Sequence, residues 1–216
     1  RRILAFCDVN FKPWCAGRCA LLSWRIGHRL HGMTQSRPAM SPPGGRQVHD
    51  AVWVGSTILR MAAFVRAQTP PGESLGLVGI QTGGAVLAQR LAQALSRPGA
   101  PLSVGTLDIT HYRDDAGVAR RHTASVALPF EVGDRWIFLV DDVLYKGRTA
   151  RAALDALIDL GRPKAIRFMV LIDREGREFP IRADYAGETL VLPAHEKVDV
   201  TLKETHGEDA VRILPA

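Results

Sequence analysis

The stretch from Trp136 to Thr149 constrains this 216-residue chain more than any other. Trp136-Ile-Phe-Leu-Val140 is an unbroken apolar run, the pattern of a strand buried on both faces of a parallel sheet. Asp141 and Asp142 emerge at its carboxyl end. Val143-Leu144-Tyr145-Lys146-Gly147-Arg148 then leads into a helix expected over Thr149–Leu160, closed by Gly161 and Pro163. Ligands of open parallel sheets bind beyond the carboxyl ends of the strands. A helix N-terminus offers free N–H groups and partial positive charge to a phosphate. Paired carboxylates suit sugar hydroxyls or, through water, Mg²⁺. Taken alone, the pattern also fits a strand end followed by an ordinary turn.

The flanking sequence supplies a parallel-sheet context. Ser36–Arg46 holds Pro38, Pro42, Pro43, Gly44 and Gly45 and reads as a linker. Gln47–Gln68 carries an imperfect helical stripe of Val48, Ala51, Val52, Ile58, Leu59, Ala62 and Val65. Leu75–Ile80 reads as a strand opening into Gln81-Thr82-Gly83-Gly84, and Ala85–Ser96 as a helix. Val104–Tyr112 alternates as a strand, Asp114–Ala127 reads as a loop, and Ile166–Ile172 as a further buried strand. The alternation predicts an α/β fold with a mostly parallel central sheet flanked by helices.

Bulk properties remove some classes. No apolar run approaches the roughly 18–20 residues of a membrane span, so a soluble, membrane-free protein is expected. The formal charge of +6 suggests nucleic acid until its position is considered. Residues 1–32 carry +5 of it, and the other 184 residues are nearly neutral. Cys7, Cys15 and Cys19 lie in the same stretch, at spacings without a matching pair for zinc. The rest of the chain has no cysteine, which fits a reducing compartment and a cytoplasmic location. Residues 1–32 lack a sustained period, and Met33 and Met40 precede the part that reads as a domain. Residues 1–46 are therefore expected to be an extension and linker, residues 1–32 reflecting a misplaced start, with the domain over 47–216.

Residues 137–149 resemble the signature by which type I phosphoribosyltransferases bind 5-phosphoribosyl-1-pyrophosphate (PRPP). The similarity spreads to Leu107–Asp115, Val143–Leu157, Gly161–Pro163 and Glu178–Tyr185, which together resemble the PyrR family over about Leu75 to Val200. That family is described as pyrimidine-operon regulators with uracil phosphoribosyltransferase activity. The resemblance implies a type I phosphoribosyltransferase fold with a small hood, and the reaction of uracil with PRPP to give UMP and pyrophosphate.

It also implies roles. Asp141 and Asp142 would hold the ribose hydroxyls and, through PRPP and water, Mg²⁺. Val143, Leu144 and Tyr145 would line the binding segment, and Lys146, Gly147, Arg148 and Thr149 would cradle the 5′-phosphate. Gln81, Thr82, Gly83 and Gly84 would receive the pyrophosphate. Arg113 and Asp114 would lie at the root of a loop closing over the site. Asp173, Arg177 and Ile181 would belong to a hood over the base. Lys146 departs from the usual Thr or Ser, and Gln81 and Gly83 from the frequent Lys and Arg. The resemblance further implies a homo-oligomer and, as a possible partner, the leader mRNA of a pyrimidine operon.

Other residues read as structural. His111 fits a strand position, Trp136 fits packing, and Arg148, Arg151, Arg162 and Lys164 fit a solvated helix surface. His195 has no mechanism attached. The competing function is a UMP- or PRPP-sensing RNA-binding regulator with little or no catalysis. A purine phosphoribosyltransferase is a third option, and Glu178–Tyr185 favours uracil over it.

Overall fold

Strands that are apolar on every residue need cover on both faces, and the fold provides it. The computed structural model describes residues 45–96, 102–109 and 125–216, within the unit Met40–Ala216. The elements in chain order are β1 (Arg46–His49), α1 (Ala51–Gln68), β2 (Leu75–Ile80), α2 (Gly83–Leu95), β3 (Val104–Asp108), β4 (Ser125–Ala127), β5 (Trp136–Leu144), α3 (Arg148–Asp159), β6 (Ala165–Arg174), β7 (Tyr185–Leu190), β8 (Glu196–Thr201), α4 (Lys203–His206) and β9 (Ala210–Pro215).

Six strands form one sheet in the order β4-β3-β2-β5-β6-β7. All neighbours are parallel except β3 and β4. Side chains alternate across it. Leu77, Phe138, Val140, Met169 and Leu171 pack with Val54, Met61 and Val65 of α1 and Leu87 and Leu91 of α2. Val78, Ile80, Ile137, Leu139, Phe168 and Val170 pack on the other face with Ala150, Ala153, Ala156 and Leu157 of α3. The alanines let α3 lie close to the sheet.

From β2 the chain crosses through α2 to β3 on one side; from β5 it crosses through α3 to β6 on the other. Helices on opposite faces follow from the right-handedness of such crossovers. The strand order therefore reverses between β2 and β5, and a crevice opens there at the strands' carboxyl ends. Three antiparallel strands in the order β1-β9-β8 make a second, small sheet.

The α/β class and the mostly parallel sheet agree with the expectation, while several boundaries differ. Gln47–Gln68 is not one helix. Arg46–His49 pairs with β9 as β1, and Asp50 then starts α1, its carboxylate accepting the Trp53 N–H at 2.9 Å. Arg46, read as the end of the linker, opens that strand. Asp114–Ala127 ends in the short edge strand β4, held by its ladder to β3. β5 runs on through both aspartates to Leu144, because Asp141, Val143 and Leu144 continue the ladder to β6. The alternating strand reaches Asp108 in the described residues; Thr110–Ala124, with His111, lies outside them. Residues 1–44, with the three cysteines, lie outside as well.

Phe138 is fully buried at the centre of the sheet. Phe138→Ala leaves a cavity beneath α1 and α2 and is expected to destabilise the protein by about 3–5 kcal/mol, read as a lower midpoint of denaturant unfolding at unchanged slope.

Candidate active site

The crevice between β2 and β5 is a cleft of about 460 Å³. Gln81, Thr82 and Gly83 line it after β2, Asp141, Asp142 and Val143 at the end of β5, and Thr149 in the first turn of α3. Ile109 joins from the end of β3, and Val200, Leu202, Thr205 and His206 come from the small sheet and α4.

The turn after β2 is pressed against β5. A Cβ on Gly84 would stand 2.3 Å from the Val140 carbonyl oxygen, so only glycine permits this approach. The Gln81–Thr82 peptide bond is cis, and the Gln81 N–H donates to the Leu107 carbonyl at 2.9 Å. The absence of Cβ at Gly83 and Gly84 brings the turn's backbone beside the aspartates.

Asp141 is buried, and its Oδ1 accepts the Asp142 N–H at 3.0 Å. Asp142 is half-buried on the cleft wall, and its Oδ1 accepts the Val143 N–H at 2.7 Å. Burial pushes the Asp142 carboxyl above its ordinary value; the Val143 N–H and the contact with Asp141 oppose the rise, and nearby Asp199 adds to it. The cleft wall is thus a place where negative charge is costly and a cation or hydroxyl donor is welcome.

Gly147 caps α3 at φ +90°, in the left-handed region that favours glycine. No side chain caps that helix end, and its partial positive charge suits an anion. Lys146 Nζ lies 2.8 Å from Glu178 Oε1, and Arg148 Nη2 lies 2.6 Å from Glu178 Oε2. The two cations hold the Glu178 carboxyl below its usual range, and Glu178 raises Lys146 in return.

Eight of the sixteen expected site residues that are described come together here. Gln81, Thr82, Gly83, Asp141, Asp142, Val143 and Thr149 line the cleft, and Gly84 backs the turn. Leu144, Tyr145, Lys146, Gly147 and Arg148 form the connection behind it rather than its lining. Asp173, Arg177 and Ile181 gather elsewhere. Arg177 donates to the carbonyls of Tyr145, of Arg174 at 2.7 Å and of Ile181 at 3.0 Å, and pairs with Asp173. Arg113 and Asp114 lie outside the described residues. Val200, Leu202, Thr205 and His206 were not expected. They reach the cleft through pairing of β8 with β9, which leaves no local sign in the sequence.

Of the residues read as structural, Trp136 packs at the edge of the core with Arg167 over its ring. Arg151 pairs with Asp155 and Lys164 with Glu73, as expected of surface charges.

This fold and site define a phosphoribosyltransferase: residues 47–204 match the family model described as phosphoribosyl transferase domain. The chain is 48% identical over 159 residues to the bifunctional protein PyrR of Deinococcus radiodurans, covering 72% of this chain and 87% of that relative. It is 43% identical over 178 residues to the bifunctional protein PyrR of Ligilactobacillus salivarius, covering 78% and 97%. The chain belongs to the PyrR family. Among solved structures it resembles the hypoxanthine phosphoribosyltransferase of Trypanosoma cruzi in complex with the product IMP, at TM-score 0.59 and 17% identity over 81% of this chain and 96% of that one. A hypoxanthine phosphoribosyltransferase of Staphylococcus aureus aligns at TM-score 0.57 and 18% identity, covering 77% and 92%. At such identities the likeness shows the fold alone.

A carboxyl whose proton is held more tightly in the native state costs stability once the pH exceeds its ordinary value. Asp142→Asn removes that cost. The variant is expected to melt a few degrees above the parent at pH 8, with the gap closing as pH falls towards the ordinary aspartate range. Equal melting temperatures at pH 8 would contradict the assignment of Asp142 as a destabilised carboxylate.

Proposed function

We propose that the chain transfers the phosphoribosyl group of PRPP to uracil, giving UMP and pyrophosphate, with Mg²⁺ carried on PRPP. One observation carries this reading: paired carboxylates stand in one cleft between a glycine turn and an uncapped helix N-terminus. That spacing fits a sugar with an anionic group at each end.

The 5′-phosphate would sit on the N–H groups that open α3, beside the Thr149 hydroxyl. Asp141 and Asp142 would accept hydrogen bonds from the ribose hydroxyls. The pyrophosphate would lie along Gln81–Gly84, whose glycines let backbone N–H groups approach. As the bond from C1′ to the pyrophosphate oxygen breaks, its electron pair leaves with pyrophosphate. Uracil N1 bonds to C1′, and its proton passes to the departing pyrophosphate.

The carboxylates stabilise the cationic sugar between these two events, and backbone dipoles stabilise the departing anion. Mg²⁺ bound with PRPP would offset charge on the phosphate oxygens. The raised Asp142 carboxyl fits a nearby cation held through water, although no three His, Cys, Asp or Glu side chains converge as a metal-binding group among the described residues. The Asp173–Ile181 segment, tied by Arg177 to the Tyr145 carbonyl, would cover the base.

A second role is supported by the name of the relatives, which calls them bifunctional. With UMP or PRPP in the same cleft, the protein would bind the leader mRNA of a pyrimidine operon. Val52 and Leu59, seven positions apart on one face of α1, expose apolar side chains and support a homo-oligomer. No helix among the described residues is long and apolar enough to cross a membrane, and a cytoplasmic site of action fits the substrates.

Formation of UMP from uracil and PRPP, with and without Mg²⁺, tests the first role. Asp141→Ala and Asp142→Ala are each expected to lower kcat/KM by about 100-fold or more, and full turnover in either variant would remove the site assignment. Exchange of uracil for hypoxanthine as acceptor tests the base. A salt-dependent gel shift with leader RNA, responsive to UMP, tests the second role.

A further inference from the structure

PRPP and pyrophosphate are strongly anionic, yet the described lining of the cleft contains no Lys or Arg and two carboxylates. The cations of the Lys146–Arg148 loop pair with Glu178 instead. His206 is the one basic side chain among the described residues that line the cleft. Its Nδ1 lies 2.7 Å from the Thr205 hydroxyl and accepts the Leu202 N–H at 3.4 Å. With Nδ1 accepting, the neutral ring carries its hydrogen on Nε2, the edge these bonds leave unused.

The position of α4 decides which part of the ligand His206 meets. Arg90 of α2 ties down both flanks of His206: its Nε donates to Glu204 at 2.8 Å, and its Nη1 and Nη2 donate to Asp209 at 2.8 and 2.7 Å. The first residues of α2 are Gly83 and Gly84 of the turn after β2. The segment that carries His206 is thus tied to the helix that begins at the turn, whereas the proposed 5′-phosphate end belongs to α3.

Resting on the phosphoribosyl reading above, we propose that His206 binds the pyrophosphate leaving group, its Nε2–H donating to a phosphate oxygen beside Gln81–Gly84. The donor takes up charge as the bond from C1′ to oxygen breaks and the electron pair moves onto pyrophosphate. No proton need leave His206.

The test is calorimetric titration of the full chain with two probes, inorganic pyrophosphate plus Mg²⁺ and UMP, on the parent, His206→Ala and His206→Asn. The Asn amide oxygen can still accept the Leu202 N–H, so this variant keeps the fold of α4 and removes only the outer donor. Both variants are expected to bind pyrophosphate about tenfold more weakly, with UMP affinity unchanged and kcat/KM for PRPP falling in parallel. Unchanged pyrophosphate affinity in His206→Asn, with UMP still bound, would overturn the role of His206 and leave the phosphoribosyl reading standing. Loss of UMP together with pyrophosphate in both variants would overturn it too, as the mark of a purely structural residue. A parent protein that binds neither probe would remove the phosphoribosyl reading and this inference with it.

Discussion

The site depends on one close approach, that of the Gly83–Gly84 backbone to the end of β5. A side chain at Gly84 would strike the Val140 carbonyl, and one at Gly83 would reach within 2.2 Å of the Asp142 carboxylate. Because both positions lack Cβ, the turn after β2 and the aspartates of β5 share one crevice. The parallel pairing of β2 with β5 sets the register, with Gly79 opposite Val140. The reversal of strand order between them opens the space. Remove either the pairing or the glycines, and the backbone of the turn and the two carboxylates no longer face the same crevice.

Electrostatics explains why this arrangement suits a charged sugar phosphate. A cleft walled by Asp141 and a carboxyl pushed upward by burial is poorly disposed towards bare anions. Attraction for an anion would come from oriented N–H groups at the turn and at the start of α3, from the His206 donor proposed above, and from a cation accompanying the ligand. Such dipoles are fixed by the fold and do not reorganise as charge moves during reaction. The same economy of mobile charge is seen in Glu178, which neutralises the two cations flanking Gly147.

What the sequence disclosed divides along the range of the interactions. The runs Leu75–Ile80, Trp136–Val140 and Ile166–Ile172, and the helices after their glycine turns, are local patterns, and each is found within a few residues of its expected place. The aspartates, the turn and Thr149 were legible because charges that follow a buried apolar run fall at the carboxyl end of its strand, even though β5 itself continues through them to Leu144. Asp50 shows the limit. Val48 and Ala51 fit one helical stripe, but the chain before Asp50 extends to pair with β9, more than 160 residues away in sequence. β8, β9 and α4 are defined by the same distant pairing, so Val200, Leu202, Thr205 and His206 carried no local mark of belonging to the cleft. Asp173 and Arg177 illustrate the converse: residue types suited to a ligand turn out to satisfy each other.

Lys146 shows how the chain accommodates a departure from the expected signature. A hydroxyl at that position would donate to the phosphate, and a lysine pointing the same way would occupy its place. Here Nζ is drawn to Glu178 and the side chain is about half exposed, while the Lys146 carbonyl accepts the N–H groups of Glu178 and Phe179 at 3.0 and 3.1 Å. The backbone is therefore anchored from the side of the following loop, and the side chain leaves the cleft. Arg177 strengthens that anchorage from beneath, since its guanidinium gathers the carbonyls of Tyr145 and Ile181 and the Asp173 carboxylate at once. A loop held at its backbone in this way keeps the start of α3 in place even with a long side chain at Lys146.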